Sequence, residues 1–360
     1  MAHRVTLIPG DGIGPEVSAA TRLVLDAADV GIEWIEKTAG TAALEEHGEL
    51  LPDDTLDAIR SSRVALKGPI TTPVGTGFRS VNVALRQGLD LFGAVRPARA
   101  LPGVPIRHPR VDLVVVRENT EDLYAGIEFE RGSAGATALR EELRALGGYE
   151  LREDAGITVK PISVRGTRRI VRFAFEYARA HGRKKVTAGH KANVMRYSDG
   201  LFLQTAEQES REFPDIEWQE IQIDHLTSRL AKEPGEFDVL LLPNLYGDII
   251  SDLCAGLVGG LGLIPGANIG WEYAVFEPVH GSAPDIAGHG TANPIAMILS
   301  GAMMLRHMGE QAAAENLEWA VDEVLGRREV RTPDLGGSST TMQVAEEVAT
   351  RVTAWEHGPS

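Results

Sequence analysis

The sequence predicts an α/β fold with a mixed, mainly parallel sheet that helices cover on both faces. Short apolar runs alternate along the chain with longer segments in which apolar residues recur at helical spacing. We predict buried strands at residues 5–9, 64–67, 111–116, 186–188 and 239–242. We predict helices at residues 14–28, 137–146, 167–180, 199–213, 247–259 and 293–307. Strands and helices that alternate in this way are typical of parallel sheets.

Composition excludes several classes of protein. The 360 residues carry a formal net charge of −15, whereas a nucleic-acid-binding surface needs concentrated positive charge. The single cysteine, Cys254, excludes an intramolecular disulfide framework. No apolar run approaches the roughly 18 residues that span a membrane, and the first residues show no signal-peptide pattern. We therefore expect a cytoplasmic globular protein.

The first candidate binding motif lies at residues 10–14, which carry glycines in the pattern G-x-G-x-G directly after the first predicted strand. A dinucleotide-binding fingerprint has the spacing G-x-G-x-x-G and an acidic residue at the end of the second strand. The spacing differs here, no acidic residue is clearly placed, and Pro15 begins the helix at once. We therefore interpret the glycines as a tight turn from strand to helix.

A candidate anion site lies at residues 80–96, where a hydroxyl, an amide and two guanidinium groups are close in sequence. Ser80 is a predicted N-cap, so Asn82 and Arg86 belong to the first turns of a helix whose N-terminus attracts anions. Arg96 follows one short segment later, and planar guanidinium groups bind carboxylates with two hydrogen bonds each. The set suits a small molecule with several carboxylates. The alternative is a capped surface helix with solvated arginines.

Further polar groups follow predicted strands at the carboxyl edge of the sheet, where catalytic groups often lie. Arg117 and Tyr124 follow the strand at 111–116. Arg117 is a candidate third group that binds a carboxylate, and Tyr124 is a candidate proton donor. Lys191 follows the strand at 186–188. Neighbouring arginines and a metal lower the pKa of a lysine, which suits it to proton transfer. Taken singly, each of these residues has a structural alternative.

Two carboxylates are predicted to share one face of a helix. Asp248 and Asp252 are four residues apart with no lysine or arginine between them, so they repel each other unless a cation intervenes. Carboxylate oxygens are the ligands that Mg²⁺ and Mn²⁺ prefer. The pair therefore indicates a metal site, and the alternative is two acids on a hydrated surface.

Residues 277–288 form a polar loop of glycines and prolines that leads into a helix. The loop offers a histidine, backbone N–H groups and Asp285, a set that can hold an adenosine ribose. A carboxylate at this position accepts hydrogen bonds from both ribose hydroxyls and repels a 2′-phosphate. The loop is therefore a candidate nucleotide site.

Together these segments resemble the β-decarboxylating dehydrogenases, the family of isocitrate, isopropylmalate, homoisocitrate and tartrate dehydrogenases. The resemblance covers almost the whole chain, and its motifs are residues 7–16, 68–73, 78–86, 117–124, 280–288 and 331–337. The pattern S-x-N-x-x-x-R at Ser80, Asn82 and Arg86 is similar to the isocitrate branch. Isopropylmalate enzymes carry apolar residues in place of the serine and the asparagine.

The resemblance implies an NAD-dependent isocitrate dehydrogenase, which decarboxylates isocitrate to 2-oxoglutarate with Mg²⁺ or Mn²⁺. The implied substrate-binding residues are Ser80, Asn82, Arg86, Arg96 and Arg117. The first two would meet the γ-carboxylate, and the arginines would hold the other carboxylates. The alternatives are a homoisocitrate dehydrogenase and a non-catalytic regulatory subunit of the same family.

The resemblance also implies cofactor and metal residues. The implied cofactor-binding residues are Thr71, His280, Gly281, Ser282, Ala283, Pro284, Asp285, Ile286 and Asn293. NADP-dependent isocitrate dehydrogenases have a lysine and a tyrosine in place of Asp285 and Ile286, so NAD is the expected cofactor. The implied metal ligands are Asp224, Asp248 and Asp252. Among the catalytic residues, Lys191 would act in deprotonation, and Tyr124 would protonate the enolate that decarboxylation leaves.

Because Asp224 and Lys191 are expected from the second subunit, the resemblance implies a homodimer with shared active sites. Residues 131–160 interrupt the strand–helix alternation and resemble the clasp segment of homodimeric isocitrate dehydrogenases; a surface loop is the alternative. We expect a large domain formed by residues 1–91 and 259–360. A small domain would comprise residues 92–121 and 165–258, with a clasp-like segment at 122–164.

Overall fold

The structure, a computed structural model, describes residues 2–71 and 80–355. The strands in this part of the chain are β1 (His3–Ile8), β2 (Ile32–Glu36), β3 (Val64–Lys67), β4 (Gly93–Arg99), β5 (Asp112–Glu118), β6 (Glu128–Phe129), β7 (Ile157–Thr158), β8 (Lys185–His190), β9 (Glu217–Gln222), β10 (Val239–Leu242), β11 (Pro265–Ile269) and β12 (Ala274–Pro278). The α-helices are α1 (Gly14–Ala27), α2 (Thr41–His47), α3 (Asp53–Ser62), α4 (Val81–Gly88), α5 (Ala134–Gly147), α6 (Val164–Ala180), α7 (Asp199–Ser210), α8 (Ile223–Lys232), α9 (Asn244–Leu257), α10 (Ile295–His307), α11 (Gln311–Arg327) and α12 (Thr341–Thr353).

Ten of these strands form one mixed sheet in the order β2-β1-β3-β12-β11-β4-β5-β10-β8-β9. The strands from β2 to β12 pair in parallel at one end, and those from β5 to β9 pair in parallel at the other. Between the two parallel halves, β11 and β4 run antiparallel to each other and to their outer neighbours. The predicted α/β fold with a mixed, mainly parallel sheet is confirmed.

Apolar side chains on both faces of the sheet explain why its strands are buried. In β10, Val239 and Leu241 belong to a core beneath α6 and α7, whereas Leu240 and Leu242 belong to a core beneath α8 and α9. This alternation is the consequence of successive strand residues pointing to opposite faces. A larger core joins α1, α10, α11 and α12 to the other half of the sheet. The helices packed on both faces of the sheet hold the carboxyl ends of its strands in place.

The predicted elements are present, but several strands were missed, among them the three at the centre of the sheet. The five predicted strands are β1, β3, β5, β8 and β10, and the six predicted helices are α1, α5, α6, α7, α9 and α10, with ends shifted by a few residues. No prediction covered β4, β11 or β12. β4 carries Arg96, Pro97 and Arg99, so it lacks the apolar run that indicates a buried strand.

Ser80 begins α4 as predicted, because its side-chain oxygen accepts a hydrogen bond from the backbone N–H of Val83. The parts of the motifs 68–73 and 78–86 that fall on residues 72–79 lie outside the described residues. The excursion after β5 contains α5, and β6 and β7 pair as a separate two-stranded sheet. Its clasp-like role and the domain boundaries remain predictions.

Among residues 2–71 and 80–355, the helices are too short or too polar to cross a membrane.

Candidate active site

β4, β11 and α4 place the candidate anion-binding groups in one cleft. Arg96 of β4 and Asn268 of β11 face it from the floor of the sheet, and α4 contributes Asn82 and Arg86. The cleft has a volume of about 110 Å³. Arg86 and Arg96 are buried, so the alternative of solvated surface arginines is wrong for both.

A buried ion-pair network holds Arg86 at this cleft. The carboxylate of Glu277, near the end of β12, lies 2.5 Å from Nζ of Lys67 and 3.2 Å from Nη2 of Arg86. Nδ2 of Asn268 donates a further hydrogen bond to Glu277 at 2.6 Å. Burial raises the pKa of Glu277, but the positive charges of Lys67 and Arg86 outweigh burial and hold this pKa well below its usual range. Glu277 is therefore ionised and fixes the guanidinium of Arg86.

Two polar atoms that α4 contributes to the cleft have no partner within the described residues. They are Oδ1 of Asn82 and Nε of Arg86, both buried. Buried polar atoms in native proteins are normally hydrogen-bonded. A polar ligand in the cleft would satisfy both atoms.

Arg96, Arg117 and Tyr124 converge on the carboxylate of Asp248. Nη1 of Arg96 lies 3.2 Å from Oδ1 of Asp248, and Nη1 of Arg117 donates to the same oxygen. The Tyr124 hydroxyl donates to Oδ2 of Asp248 at 2.5 Å, and the Arg117 guanidinium lies 4.8 Å from the centre of the tyrosine ring. Asn244, in the first turn of α9, accepts two hydrogen bonds from Arg117 at 3.1 and 2.7 Å. The fold therefore brings four of the predicted site residues together.

The charges of this cluster set the protonation of its members. Burial raises the pKa of Asp248, but Arg117 and Arg96 outweigh it, so the pKa of Asp248 is lowered. Burial and the repulsion of Arg96 and Arg86 lower the pKa of Arg117 to about 9, which leaves it protonated at neutral pH. Burial and the hydrogen bond to Asp248 raise the pKa of Tyr124. Tyr124 therefore keeps its proton.

Asp252 lies one turn after Asp248 on α9. It is exposed, and its carboxylate makes no hydrogen bond or ion pair within the described residues. Partial desolvation raises the pKa of Asp252, an effect that Arg96 opposes and Asp248 reinforces. The cations that relieve the repulsion of the two carboxylates come from β4 and β5, as Arg96 and Arg117.

The third predicted metal ligand, Asp224, lies elsewhere in the chain. It pairs with Nζ of Lys191, and its side chain is 66% exposed. Within residues 2–71 and 80–355, no three His, Cys, Asp or Glu side chains lie together as a metal site. Asp248 and Asp252 supply oxygen ligands that fit Mg²⁺ or Mn²⁺, and water and substrate oxygens could fill the other positions. The metal assignment of all three residues remains a prediction.

Lys191 is not brought to Tyr124 within one chain. Its Nζ contacts Asp224, and its backbone N–H donates to the carboxylate of Asp199 at 2.7 Å. The residues predicted to act from a second subunit, Lys191 and Asp224, therefore lie side by side. Neither residue contacts the cluster at Asp248. Their contribution to the site of a second subunit stays a prediction.

The glycine-rich turn at residues 10–14 packs against the candidate nucleotide loop. Gly10 and Gly12 have φ values of +83° and +61°, which side chains rarely adopt. A Cβ on Gly12 would lie 2.0 Å from the carbonyl oxygen of Ser282, and the N–H of Ile13 donates to the same oxygen at 2.9 Å. The predicted tight turn is confirmed.

The predicted cofactor residues line the surface of this loop. The hydroxyls of Thr71 and Ser282 share a hydrogen bond of 2.6 Å. Asp285 is exposed and has no hydrogen-bond or ion-pair partner in the part of the chain that the structure describes. Gly281 and Pro284 are exposed as well, whereas the half-buried Ala283 and Ile286 pack on the core.

Two further residues predicted to bind the cofactor contact neighbouring groups of the chain. Nδ2 of Asn293 donates to Asp334 at 2.9 Å, and its Oδ1 accepts from the N–H of Ile295 at the start of α10. Burial lowers the pKa of His280, so its imidazole is neutral at pH 7. Nε2 of His280 is buried without a partner among the described residues. It is therefore a third polar atom that a ligand would satisfy.

The family model described as isocitrate/isopropylmalate dehydrogenase matches residues 4–349. This chain belongs to the isocitrate/isopropylmalate dehydrogenase family. A mitochondrial catalytic subunit of NAD-dependent isocitrate dehydrogenase from Arabidopsis thaliana is 45% identical over 346 residues, which are 96% of this chain and 87% of the relative. A 3-isopropylmalate dehydrogenase from Archaeoglobus fulgidus is also 45% identical over 346 residues, 96% of this chain and 98% of that protein.

A solved structure of an isocitrate dehydrogenase from Methylococcus capsulatus matches with a TM-score of 0.89 and 48% identity, covering 98% of this chain and 99% of that one. The family resemblance inferred from the motifs is confirmed. The chain is thus a dehydrogenase of the isocitrate/isopropylmalate type.

The relatives correct the predicted location of this dehydrogenase. The Arabidopsis subunit and several other isocitrate dehydrogenase subunits are named as mitochondrial, and one of them is named as regulatory. These relatives are mitochondrial by name, so the prediction of a cytoplasmic location is wrong. It rested on the low cysteine content and on the lack of a secretory signal, features shared by proteins of any reducing compartment.

Lys67 and Glu277 are the members of this dehydrogenase site that sequence reasoning missed. Lys67 ends a predicted buried strand, and Glu277 opens the candidate nucleotide loop. A charged residue at the end of an apolar strand was the available signal, because such a residue needs a partner when it is buried.

Proposed function

We propose that this chain is an isocitrate dehydrogenase that uses NAD and Mg²⁺ or Mn²⁺ and converts isocitrate to 2-oxoglutarate. The observation that carries the proposal is the grouping of three buried guanidinium groups, from Arg86, Arg96 and Arg117, beside a phenol and a carboxylate pair. Three fixed positive charges match the three carboxylates of the substrate.

Asn82 favours isocitrate over isopropylmalate. Its buried Oδ1 lacks a partner within the described residues, and it lines the same cleft as Arg86 and Arg96. An isopropyl group at this position would leave the amide unpaired, which costs about 1–3 kcal/mol. A carboxylate, itself an acceptor, instead reaches Oδ1 through a bridging water that donates to both groups. This argument separates the proposed substrate from that of the Archaeoglobus relative.

The groups that proton transfer needs support a catalytic rather than a regulatory subunit. Tyr124 holds its proton at the hydroxyl beside Asp248, so it can donate to the carbon from which CO₂ has left. Lys191 of a second copy would take the proton from the substrate hydroxyl. Arg86 and Arg96 bind and orient the carboxylates. When bound, NAD accepts a hydride and a divalent cation stabilises negative charge on the substrate oxygen.

The exposed carboxylate of Asp285 favours NAD over NADP. A ribose with two free hydroxyls can donate hydrogen bonds to this carboxylate, whereas a 2′-phosphate would be repelled by it. Ile286, which packs on the core, offers no hydroxyl to a phosphate.

A homodimer with shared active sites fits the placement of Lys191 and Asp224. Both lie apart from Asp248, and the segment after Lys191 exposes Val194 and Tyr197, which are 67% and 93% accessible. Large apolar side chains exposed together mark interaction surfaces. We propose that Lys191 and Asp224 complete the site of the partner chain.

Steady-state kinetics test the proposal. We expect the highest kcat/KM with isocitrate and NAD in the presence of Mg²⁺ or Mn²⁺, and no turnover when EDTA removes the metal. Homoisocitrate, isopropylmalate and tartrate, each with NAD and NADP, are the comparison substrates. A higher kcat/KM with any of these, or no turnover by the purified chain, would contradict the proposal.

A pair of variants tests whether isocitrate binds in the cleft. Arg96→Lys changes the guanidinium that faces the cleft, and Arg99→Lys changes another arginine of β4, which pairs with Asp322 outside the cleft. We expect Arg96→Lys to raise KM for isocitrate at least about tenfold, the equivalent of about 1.4 kcal/mol. Arg99→Lys should leave KM unchanged. Equal values for the two variants would contradict the assignment of Arg96 to the substrate.

A further inference from the structure

Lys160 lies at the centre of a buried charge cluster outside the substrate cleft. Its Nζ lies 2.6 Å from Oδ1 of Asp199 and 3.7 Å from Oδ1 of Asp122. Both carboxylates are fully buried, and the lysine side chain is 14% exposed. Nζ also lies 4.6 Å from the centre of the Tyr246 ring. One ammonium group is therefore the shared counter-ion of two buried carboxylates from different parts of the chain.

Asp122 fixes the turn that carries Tyr124. It begins the 3-10 turn Asp122–Ala125 with a φ of +65°, a conformation that residues other than glycine rarely adopt. Oδ1 of Asp122 accepts the N–H of Leu123 at 2.8 Å, and Oδ2 accepts the N–H of Leu245 at 2.9 Å. Since Leu245 belongs to the first turn of α9, Asp122 joins the Tyr124 turn to the helix that carries Asp248.

Asp199 fixes the segment that carries Lys191. Its Oδ2 accepts the backbone N–H of Lys191 at 2.7 Å, while its Oδ1 faces Lys160. The Tyr246 phenol also lies beside this carboxylate, and burial together with the charge of Asp199 raises the pKa of Tyr246. The carboxylate is therefore held between the phenol, the ammonium and the Lys191 backbone.

We propose that Lys160 is a positioning residue that sets the Tyr124 turn and the Lys191 segment at the same time. The inference rests on the proposed function, in which Tyr124 serves the site of its own chain and Lys191 that of the partner. Lys160 acts through Asp122 and Asp199. Without its charge, two buried carboxylates lose their shared counter-ion, and because uncompensated buried charge is unstable, the segments they hold shift.

Three variants test the inference by kinetics. Lys160→Met keeps the chain length and removes the charge, and Lys160→Arg keeps the charge. Lys37→Met is the matched control, because Lys37 pairs with Asp54 beside the edge strand β2. We expect Lys160→Met to lower kcat at least about tenfold with KM for isocitrate within about threefold, since the arginines of the cleft do not contact this cluster. Lys160→Arg should restore most of kcat, and Lys37→Met should change neither constant.

Hydrogen–deuterium exchange of the free protein provides a readout independent of turnover. Lys160→Met should speed exchange in residues 121–126 and 190–199 and leave β4 and α4 unchanged. Asp199→Asn keeps an acceptor oxygen and removes one charge, so it should speed exchange in 190–199 alone. If Lys160→Met does not fold, Asp199→Asn still tests whether the charge cluster holds the Lys191 segment.

The inference is overturned if folded Lys160→Met keeps wild-type kcat, if exchange rises equally across the chain, or if Asp199→Asn leaves 190–199 unchanged. Should the wild-type protein not oxidise isocitrate, the proposed function fails on that result alone. The exchange pattern then still decides whether Lys160 positions the two segments.

Discussion

Tyr124 is fixed from two sides, by the hydrogen bond to Asp248 and by the Arg117 guanidinium against its ring. Its raised pKa keeps the proton on the phenol. Because general acids contribute about 10²–10⁴-fold to rate, we expect Tyr124→Phe to lower kcat by about 10²-fold or more. KM for isocitrate should stay within about threefold, since the phenol is not part of the arginine set. Steady-state rates at saturating NAD measure both.

Tyr177→Phe is the matched control for this prediction. Burial raises the pKa of Tyr177 to about 12, and its ring stacks on His181, remote from Asp248 in sequence and contact. Loss of this phenol should leave kcat unchanged. Equal turnover by the two variants would remove Tyr124 from the mechanism.

The charge at residue 285 provides a second test at the scale of single side chains. The variant Asp285→Lys with Ile286→Tyr exchanges repulsion of a 2′-phosphate for attraction. We expect the ratio of kcat/KM for NADP to that for NAD to rise at least about tenfold, the equivalent of about 1.4 kcal/mol. Asp154→Lys, at an exposed position of the excursion after β5, controls for net charge. An unchanged ratio in the double variant would contradict the assignment of this loop to the cofactor.

At the scale of secondary-structure elements, Glu277 joins β12 to β3 through Lys67 and to α4 through Arg86. Its pKa is lowered in the folded state, so its contribution to stability is fully present above the unfolded value of about 4.3. That contribution is lost as the pH falls below this value toward the folded pKa. The elements of the cleft should therefore separate in acid.

We expect Glu277→Gln to lower the free energy of unfolding by about 3–5 kcal/mol at pH 7, because Lys67 and Arg86 lose their buried partner. Below about pH 4.3 the difference from wild type should shrink. Urea unfolding across this pH range measures both effects. Asp54→Asn, which removes an exposed partner of Lys37, is the control and should cost less than about 1 kcal/mol. A constant difference at all pH values would disprove the assignment.

The elements differ in how far they could be predicted from sequence. β10 is apolar along its whole length and β3 up to its final residue, Lys67, which is a local signal, so their positions were predictable. β4 was not predictable, because Arg96 and Arg99 are favourable in a strand only when carboxylates from distant segments meet them. The same limit applies to Asp248. Its partner Arg117 is 131 positions away, so the sequence indicated the carboxylate pair and not the guanidinium groups that compensate it.

At the scale of the whole molecule, one chain holds two incomplete sets of reactive groups. Tyr124 and Asp248 lie together, and Lys191 and Asp224 lie together, with no contact between the sets that would complete a site. All four are predicted site residues: Tyr124, Lys191 and Asp248 were proposed from strand ends and helix spacing, and the family resemblance added Asp224. In the proposed homodimer one chain would supply Tyr124 and Asp248 and its partner Lys191 and Asp224, and the symmetry of the dimer would join the two sets twice.

This arrangement predicts complementation between inactive chains. Tyr124→Phe and Lys191→Met should each abolish most activity alone, yet a heterodimer of the two has one site with both Tyr124 and Lys191 intact. Random exchange of subunits makes half of the dimers mixed, so about one quarter of wild-type activity should return. The control mixes Tyr124→Phe with a chain that carries both substitutions, which leaves no intact site in any dimer. No recovery in the test mixture, after exchange is verified by mass spectrometry, would show that each chain works with its own Lys191. Recovery in the control would show that turnover does not need Tyr124.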